Sequence, residues 1–244
     1  MRIRLEDVSK KYGATRALDR LSMEFEPGRI IALLGANGAG KTTLLRCLST
    51  LAVPDKGRIF FEGEALRRDN MELRRKFLFL PDFPVLYGNM TPLRHIAMLL
   101  RLYEKDRLDL DERVTGTLER LDLLPLIDKP IWNLSRGQIY KVALAGMFVL
   151  DPELWLFDEP FASGIDPGGI VYLKKQFREA AARGRTVIYS TQLLDIAESF
   201  SDQVCVLEKG VVQLFATVDE VKRMADKDRG ALEQVFQQLR EERS

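Results

Sequence analysis

The chain has 244 residues, of which 46% are hydrophobic and 30% charged, so it is long enough for one large globular domain or a core with an inserted lobe. Its 37 Lys and Arg residues nearly balance its 36 Asp and Glu residues, and a net charge of +1 gives no reason to expect nucleic acid as a partner. Two widely separated cysteines, Cys47 and Cys205, argue against zinc and are typical of reduced thiols in a cytosolic protein, and no run approaches the roughly 18 apolar residues of a membrane span.

Two strands are predicted at the start of the chain, because apolar residues alternate in residues 2–8 and again in residues 21–26. Between them, Lys11-Tyr12-Gly13 falls in a turn region, which places Tyr12 on a loop. A lone tyrosine in such a place is most simply a surface residue, so any role for it depends on the motifs that follow.

The strongest motif comes next: Gly35-Ala36-Asn37-Gly38-Ala39-Gly40-Lys41-Thr42 matches the phosphate-binding pattern G-x-x-x-x-G-K-[ST] at every position. A buried-strand run, residues 29–34, precedes it, and a helix-forming run, residues 41–48, follows it. In this order the glycines let backbone N–H groups point at phosphates, and the N-terminus of the helix adds a favourable field. Lys41 is predicted to reach the β- and γ-phosphates and Thr42 to bind Mg²⁺, so we expect a bound nucleoside triphosphate.

The pattern changes after two further predicted strands, residues 58–62 and 76–80, and we interpret residues 83–150 as an inserted helical lobe. Three helices are predicted there. The first runs from Thr91-Pro92 through Tyr103, the second from about Asp111 to Leu121, and the third starts after residues 133–138 and runs through Val149. His95, the one histidine of the chain, lies in the first of them without acidic or cysteine companions. We therefore expect His95 to pack rather than to act in catalysis.

A buried strand that ends in two carboxylates follows the lobe: Leu154-Trp155-Leu156-Phe157-Asp158-Glu159-Pro160. In a doubly wound sheet the carboxyl ends of the strands line the ligand crevice, so Asp158 and Glu159 are expected beside the phosphate loop. An ordinary solvated strand end is the simpler alternative, but the phosphate motif upstream favours a functional pair.

The last third of the chain returns to alternating helices and strands. A helix opens at Asp166-Pro167 and closes at Gly184, a strand covers residues 185–190, and residues 202–207 and 211–215 form a predicted hairpin. Two helices end the chain, the first starting at a Thr217–Glu220 capping box. The second carries a stripe of Leu232, Val235, Phe236 and Leu239, which favours core packing over a groove for a partner.

Between the phosphate loop and the Asp-Glu strand, the run Leu134-Ser135-Arg136-Gly137-Gln138 resembles the signature of the ATP-binding cassette (ABC) family. The resemblance covers nearly the whole chain: Tyr12 is similar to the adenine-stacking aromatic residue, Gly35 to Thr43 to the phosphate loop, Asp158 and Glu159 to the metal and base pair, and Ser163-Gly164-Ile165-Asp166 to the loop after them. It implies an α/β fold of one ABC ATPase domain, residues 1–244, with a P-loop NTPase core and a mainly parallel sheet. The implied parts are a core with an N-terminal antiparallel β subdomain in residues 1–82 and 151–216, an inserted α-helical subdomain in residues 83–150, and C-terminal helices in residues 217–244.

The resemblance also implies ATP and Mg²⁺ as cofactors and two cassettes that close head to tail around ATP. The residues expected at the nucleotide are Tyr12, Gly35, Asn37, Gly38, Ala39, Gly40, Lys41, Thr42, Thr43, Ser135, Gly137 and Gln138. Of these, Ser135 and Gly137 are implied to complete the γ-phosphate pocket of the other cassette. Thr42, Asp158 and Asp82 are implied at the metal, and Glu159, Lys41, Gln192 and Asp82 in catalysis, with Glu159 polarising the attacking water.

By the same resemblance, this ATPase is expected to move a transmembrane permease subunit on a separate chain and to work with a second ABC ATPase subunit, identical or not, on the cytoplasmic face of a membrane. Leu80-Pro81-Asp82, followed by Leu86-Tyr87 and Met90-Thr91, is similar to the exporter branch of the family. The lobe surface around residues 83–93 is then expected to receive the membrane subunits.

Three positions depart from the family's pattern. Asp82 stands where a glutamine is usual, and it is shorter and brings a negative charge near a triphosphate. Gln192 stands where a histidine is usual, and it can hydrogen-bond a phosphate but cannot carry a positive charge or a mobile proton. Arg136 replaces a glycine of the signature and is expected to crowd it.

Two explanations of these departures remain open at this stage. The chain is either a working ATPase whose hydrolysis is weakened by Asp82 and Gln192, or the degenerate member of a heterodimer that binds ATP without turning it over well. The retained Glu159 favours the first. Two other classes are a soluble cassette protein acting on ribosomes or DNA, whose relatives usually carry two cassettes or long coiled coils, and a regulatory nucleotide-binding partner without catalysis.

Overall fold

A computed structural model describes residues 1–105, 110–225 and 230–241, with backbone only for 110, 111 and 239–241. The strands are β1 (Ile3–Tyr12), β2 (Thr15–Phe25), β3 (Ile30–Leu34), β4 (Lys56–Phe61), β5 (Glu64–Ala65), β6 (Phe77–Leu80), β7 (Leu154–Phe157), β8 (Thr186–Thr191), β9 (Gln203–Glu208) and β10 (Val211–Thr217). The helices are α1 (Lys41–Leu48), α2 (Met71–Arg74), α3 (Pro92–Leu102), α4 (Leu110–Arg120), α5 (Arg136–Leu150), α6 (Pro167–Ala182), α7 (Leu194–Phe200), α8 (Val218–Ala225) and α9 (Ala231–Glu241), with short 3-10 turns at Leu124–Leu126 and Ile131–Asn133.

The larger sheet has the strand order β10-β9-β3-β8-β7-β6. All neighbouring pairs in it are parallel except β10 with β9, so the expected mainly parallel sheet is confirmed. Every residue of β3, β7 and β8 is buried. These strands are covered on both faces, which is why β3 and β7 read as continuous apolar runs instead of alternating ones.

Apolar cores form on both faces of this sheet, and the period-two alternation of β3 divides its side chains between them. Ile30, Ala32 and Leu34 face the core shared with α5 and α6, while Ile31 and Leu33 face the core shared with α1 and the second sheet. The first core is rich in aromatic residues, with the rings of Phe157 and Phe177 4.7 Å apart. A rigid central sheet therefore fixes the positions of the loops at its carboxyl edge.

The second sheet is antiparallel, with the order β2-β1-β4-β5, and confirms the expected N-terminal β subdomain. Its first hairpin is longer than predicted, and Tyr12 ends β1 opposite Thr15 instead of lying on a loop. The register shifts several times along this pair, so the polar outer part of the hairpin lacks the strict alternation that would reveal it in the sequence.

The segment between β6 and β7 is helical, with α3, α4 and α5 packed together. Thr91 caps α3 by accepting a hydrogen bond from the Arg94 backbone N–H at 3.3 Å, as its Thr-Pro start predicts. His95 of that helix is buried beside the ring of Tyr87, and burial lowers the pKa of its imidazole. Within the described part of the chain, no helix combines the length and apolar character that crossing a membrane requires.

The end of the chain packs on the core. The Thr217–Glu220 capping box forms as predicted: the Glu220 N–H donates to Thr217 Oγ1 at 3.2 Å, and the Thr217 N–H donates to Glu220 Oε2 at 2.7 Å. Leu232 and Val235 are buried and Phe236 packs against the same core, while the side chain of Leu239 lies outside the described residues.

Candidate nucleotide site

The glycine loop connects β3 to α1, and two of its glycines are required by their surroundings. Gly35 has φ +152°, and a Cβ there would lie 2.3 Å from the Leu207 carbonyl oxygen. Gly40 has φ +112°, and a Cβ there would lie 2.6 Å from the Ala17 carbonyl oxygen. Since neither backbone neighbour can move aside, the loop keeps its course only with glycine at both positions. The Ala17 contact also brings the β1–β2 hairpin, which carries Tyr12, against the loop.

Lys41 begins α1 and folds back over the loop. Its Nζ donates hydrogen bonds to the carbonyl oxygens of Gly35 at 2.7 Å and Ala36 at 3.2 Å, and it lies 3.6 Å from Glu159 Oε1. The residue is only 6% exposed. A buried ammonium held in this way places a fixed positive charge beside the mouth of the loop.

Thr42 and Asp158 meet beside this loop. The Thr42 Oγ1 atom lies 3.0 Å from Asp158 Oδ1 and 2.9 Å from Oδ2, so its hydroxyl donates to the carboxylate. These hard oxygen donors suit Mg²⁺, which is usually bound by one or two protein oxygens together with phosphate oxygens and water. Among the described residues there is no group of three or more His, Cys, Asp or Glu side chains that could hold a metal ion. Thr42 and Asp158 would supply only part of the coordination of Mg²⁺, with phosphate oxygens and water as its other ligands.

Ser190 was not among the site residues predicted from the sequence, yet it joins the Asp158 carboxylate to the backbone of Glu159. Its Oγ donates to Asp158 Oδ1 at 2.6 Å and accepts from the Glu159 backbone N–H at 2.9 Å. Ser190 is fully buried near the carboxyl end of β8, next to β7 in the sheet. Its position near the end of a predicted strand was the available signal, but the pairing of β8 with β7 is not visible in the sequence.

Glu159 follows β7 and has an unusual backbone, with φ +46°. Such a conformation costs on the order of 1–3 kcal/mol for a non-glycine residue, and Glu159 Oε1 lies 3.6 Å from Lys41 Nζ. Burial, with a smaller contribution from the charge of Asp158, raises the pKa of the Glu159 carboxyl, although Lys41 opposes the shift. A carboxylate with a raised pKa is a better proton acceptor.

The other residues predicted to bind the nucleotide lie in the glycine loop or near it. Gln192, just after β8, donates from Nε2 to Asn37 Oδ1 at 3.0 Å and so connects the sheet to the exposed part of the loop. Gly38 is exposed, Ala39 is buried, and Thr43 is partly buried on α1. Tyr12 is 46% exposed at the end of its strand, with Lys10 Nζ 5.5 Å from the ring centre.

The signature residues lie at the start of α5, which begins at Arg136 and therefore slightly earlier than predicted. Ser135 is the N-cap: its Oγ accepts from the Gln138 N–H at 3.3 Å, and Gln138 Oε1 accepts from the Ser135 N–H at 2.9 Å. A Cβ on Gly137 would lie 3.0 Å from the Gly164 carbonyl oxygen, in the loop after Glu159. The signature helix thus abuts that loop.

Asp82 follows β6, and the structure does not join it to the Thr42–Asp158 pair. Arg136 Nη2 lies 3.3 Å from Asp82 Oδ1, and no hydrogen bond between described residues connects Asp82 to Thr42 or Asp158. The Arg136 side chain contacts Asp82 and the ring of Phe83, and the expected crowding of the signature stays a prediction.

Comparison with known proteins places this geometry in context. Residues 18–162 match the family model described as ABC transporter. The chain is 29% identical over 238 residues to the ABC-type transporter ATP-binding protein EcsA of Bacillus subtilis, covering 98% of this chain and 96% of that protein. It is 33% identical over 224 residues to the SkfA peptide export ATP-binding protein SkfE, covering 92% of each, and 28% identical over 248 residues to the L-cystine import ATP-binding protein TcyC, covering 98% and 94%, both from the same organism.

Solved structures agree with the sequence relatives. An ATP-binding subunit of an ABC transporter superposes with a TM-score of 0.91 at 28% identity, covering 98% of this chain and 99% of that one. A dimeric ATP-binding cassette in a post-hydrolysis state, bound to ADP and Pi, superposes with a TM-score of 0.76 at 24% identity, covering 88% and 98%.

Proposed function

The chain belongs to the ABC transporter family, as an ATP-binding subunit, and from that membership we propose how its own residues bind and hydrolyse ATP. The observation that carries the proposal is one hydrogen-bonded group: Thr42, Asp158 and Ser190 are joined side chain to side chain, with Glu159 held at the same point beside the buried Lys41. This group combines a cation, metal-binding oxygens and a base within one crevice.

In this proposal the loop N–H groups and Lys41 bind the β- and γ-phosphates, and Thr42 with Asp158 holds Mg²⁺. When bound there, Mg²⁺ would neutralise part of the negative charge of the phosphates. Glu159 accepts a proton from water as the water oxygen bonds to the γ-phosphorus and the bond to the β-phosphate oxygen breaks, giving ADP and phosphate. The raised pKa of Glu159 supports this role, and Lys41 and the loop amides stabilise the charge that spreads over the transferred group.

The second half of the site is proposed to come from another ATPase subunit. Ser135, Gly137 and Gln138 lie at the N-terminus of α5, where backbone N–H groups and the helix dipole favour an anion. The dimeric relative with ADP and Pi supports a nucleotide-containing dimer for this fold. In such a dimer these residues would approach the γ-phosphate bound to the other subunit's loop.

Hydrolysis is proposed to be slow because of Gln192. Its neutral amide hydrogen-bonds to Asn37 and offers neither a positive charge nor a proton to transfer. We expect Gln192→His to raise turnover by roughly tenfold, within the range of a positioned acid or base, while Gln192→Ala does not raise it. An unchanged rate in the histidine variant would show that position 192 does not limit hydrolysis.

A membrane-embedded partner on another chain is proposed to dock on the helical lobe. Large apolar side chains are exposed there, with Val85 96%, Trp132 67%, Tyr87 59% and Phe83 58% accessible. The backbone of Trp132 is fixed against this segment, because its backbone N–H donates to the Gly88 carbonyl oxygen at 3.1 Å. A soluble protein rarely leaves such a patch uncovered, so it supports a protein interface.

Export is the direction we propose, on the basis of the segment from Leu80 to Thr91. The relatives do not decide the direction, because SkfE is named for export and TcyC for import.

Co-purification of an untagged membrane protein from detergent extract tests the proposed docking surface on the helical lobe. Loss of that protein on Val85→Asp, but not on Val211→Asp at another exposed apolar position, is the expected result.

The central experiment compares the wild type with Glu159→Gln, measuring ATP hydrolysis and running each on a sizing column with ATP and Mg²⁺. We expect the wild type to hydrolyse ATP and the variant to be inactive but to accumulate as an ATP-dependent dimer. If both bind ATP and neither hydrolyses it, the alternative of a degenerate partner in a heterodimer replaces this proposal.

A further inference from the structure

Two of the three departures from the family's pattern touch each other. Asp82 and Arg136 are 54 positions apart in the sequence, yet Arg136 Nη2 lies 3.3 Å from Asp82 Oδ1. The guanidinium carbon of Arg136 also lies 3.6 Å from the centre of the Phe83 ring. One side chain of the signature thus contacts both residues that follow Pro81 at the end of β6.

The contact gives Arg136 a defined place that α5 alone would not provide. A cation in the first turn of a helix faces the positive end of the helix dipole, which is unfavourable by some tenths of a kcal/mol. Asp82 offsets that charge, and the face of Phe83 adds a cation–π contact. The Phe83 ring thus places the guanidinium where one of its nitrogens donates to Asp82 Oδ1.

Asp82 also lies close to the acidic part of the nucleotide site. Asp82 follows β6, which pairs in parallel with β7 so that Leu80 lies opposite Phe157. The Asp158 backbone N–H donates to the Leu80 carbonyl oxygen at 2.9 Å, so position 82 follows the strand end that adjoins Asp158 and Glu159. The carboxylate at position 82 is therefore an added negative charge near Asp158, Glu159 and the phosphates proposed to bind there.

We propose that Asp82 and Arg136 act as one unit in place of the usual neutral glutamine, with Arg136 as a positioning residue that neutralises and orients Asp82. The inference rests on the proposed function. Taken singly, Asp82 and Arg136 would each weaken the site. Together their opposite charges cancel, so the pair adds no net charge, as a glutamine would add none. The third departure, Gln192, lies outside the pair.

The test is a double-mutant cycle on the purified chain with Arg136→Gln, Asp82→Gln and the two combined, using Mg-ATP as the probe. Mg-ATP affinity is measured in the Glu159→Gln background and turnover in the unmodified one. Arg136→Gln leaves Asp82 uncompensated, so its Kd and KM for Mg-ATP rise on the order of fivefold, and added salt reduces the difference. Asp82→Gln in the same chain restores both, and Arg136→Lys keeps most of the wild-type affinity.

Rescue by the second substitution separates this role from a structural one, because a damaged α5 would not be repaired by changing Asp82. Thermal unfolding checks the fold, and Arg94→Gln, an exposed arginine of the same lobe, is the matched control. Two outcomes overturn the inference if the wild type binds Mg-ATP. One is a double variant in which the losses of Mg-ATP affinity from the single variants add, and the other is an Arg136→Gln chain with wild-type affinity. A wild type that does not bind Mg-ATP overturns the proposed function itself and the inference with it.

Discussion

The phosphate-loop half and the signature half of the proposed site are built in different ways. Lys41 and Asp158 are 6% and 7% exposed and are held by hydrogen bonds within the chain. Ser135 and Arg136 are exposed, and the contacts that order them are a helix cap, one ion pair and the cation–π contact with Phe83. The first half is complete in a single chain, whereas the second presents its polar groups outward. The difference agrees with the proposal that the first half binds ATP and that the second contacts another subunit.

The largest effect is expected from removing the cation of the buried half. Lys41→Met keeps most of the side-chain volume but deletes the ammonium that lies beside Glu159. We expect ATP hydrolysis to fall by at least about 100-fold, the range seen when one preorganised charge-stabilising donor is lost. Steady-state ATPase assays and nucleotide titration measure it, with Lys175→Met on the exposed face of α6 as the control. Activity retained in Lys41→Met would place the ATP site elsewhere.

Ser190→Ala tests whether the buried half depends on the hydroxyl that the sequence did not reveal. The substitution leaves the Glu159 backbone N–H without its acceptor, and it removes one of the two hydroxyl donors to Asp158, so that only Thr42 remains there. Buried unsatisfied groups cost roughly 1–3 kcal/mol, so a tenfold to hundredfold fall in turnover is expected if the barrier carries that cost. Ser199→Ala, on the exposed side of α7, is the control. Normal turnover in Ser190→Ala would mean that Asp158 and Glu159 are positioned by the strand alone.

These two predictions also mark how far the sequence leads. The phosphate loop, the Asp158–Glu159 strand end and the α5 start follow from local patterns, because glycine spacing, apolar runs and helix caps are written in neighbouring residues. Ser190 and the Asp82–Arg136 pair depend on which strands and helices become neighbours in space. Residues 54 positions apart carry no local sign of their contact. The roles assigned to the site residues remain predictions until such variants are measured.

The exposed half is tested by separating the cap of α5 from its proposed contact with phosphate. Ser135→Ala removes both, so we expect a fall of about 2–4 °C in the unfolding midpoint, from a cap energy near 1 kcal/mol, and about tenfold weaker ATP-dependent dimerisation. Ser135→Asn retains a capping acceptor, so its stability stays near wild type while dimerisation still weakens. Thermal unfolding and sizing in the Glu159→Gln background measure the two effects. If Ser135→Asn dimerises as well as the unchanged serine, the cap is the whole role of this residue.

The smallest effect concerns the stability of the buried half. Burial raises the pKa of Glu159, so the folded chain binds a proton there more readily than the unfolded chain does. The free energy of unfolding associated with this group is then lowest where Glu159 is ionised, and it rises as the pH falls toward the raised pKa. Glu159→Gln removes the charge, and we expect it to raise the unfolding midpoint by about 1–4 °C near neutral pH.

This difference is expected to shrink as the pH is lowered from neutral toward the raised pKa of Glu159, because the wild-type carboxyl then increasingly binds a proton. Glu119→Gln, at an exposed position of α4, is the matched control. A less stable Glu159→Gln at neutral pH would mean that attraction to Lys41, 3.6 Å away, outweighs the burial of the carboxylate. The buried half would then be held together by its charges, whereas a more stable variant shows that the chain keeps an unfavourable carboxylate at the point where water is to be activated.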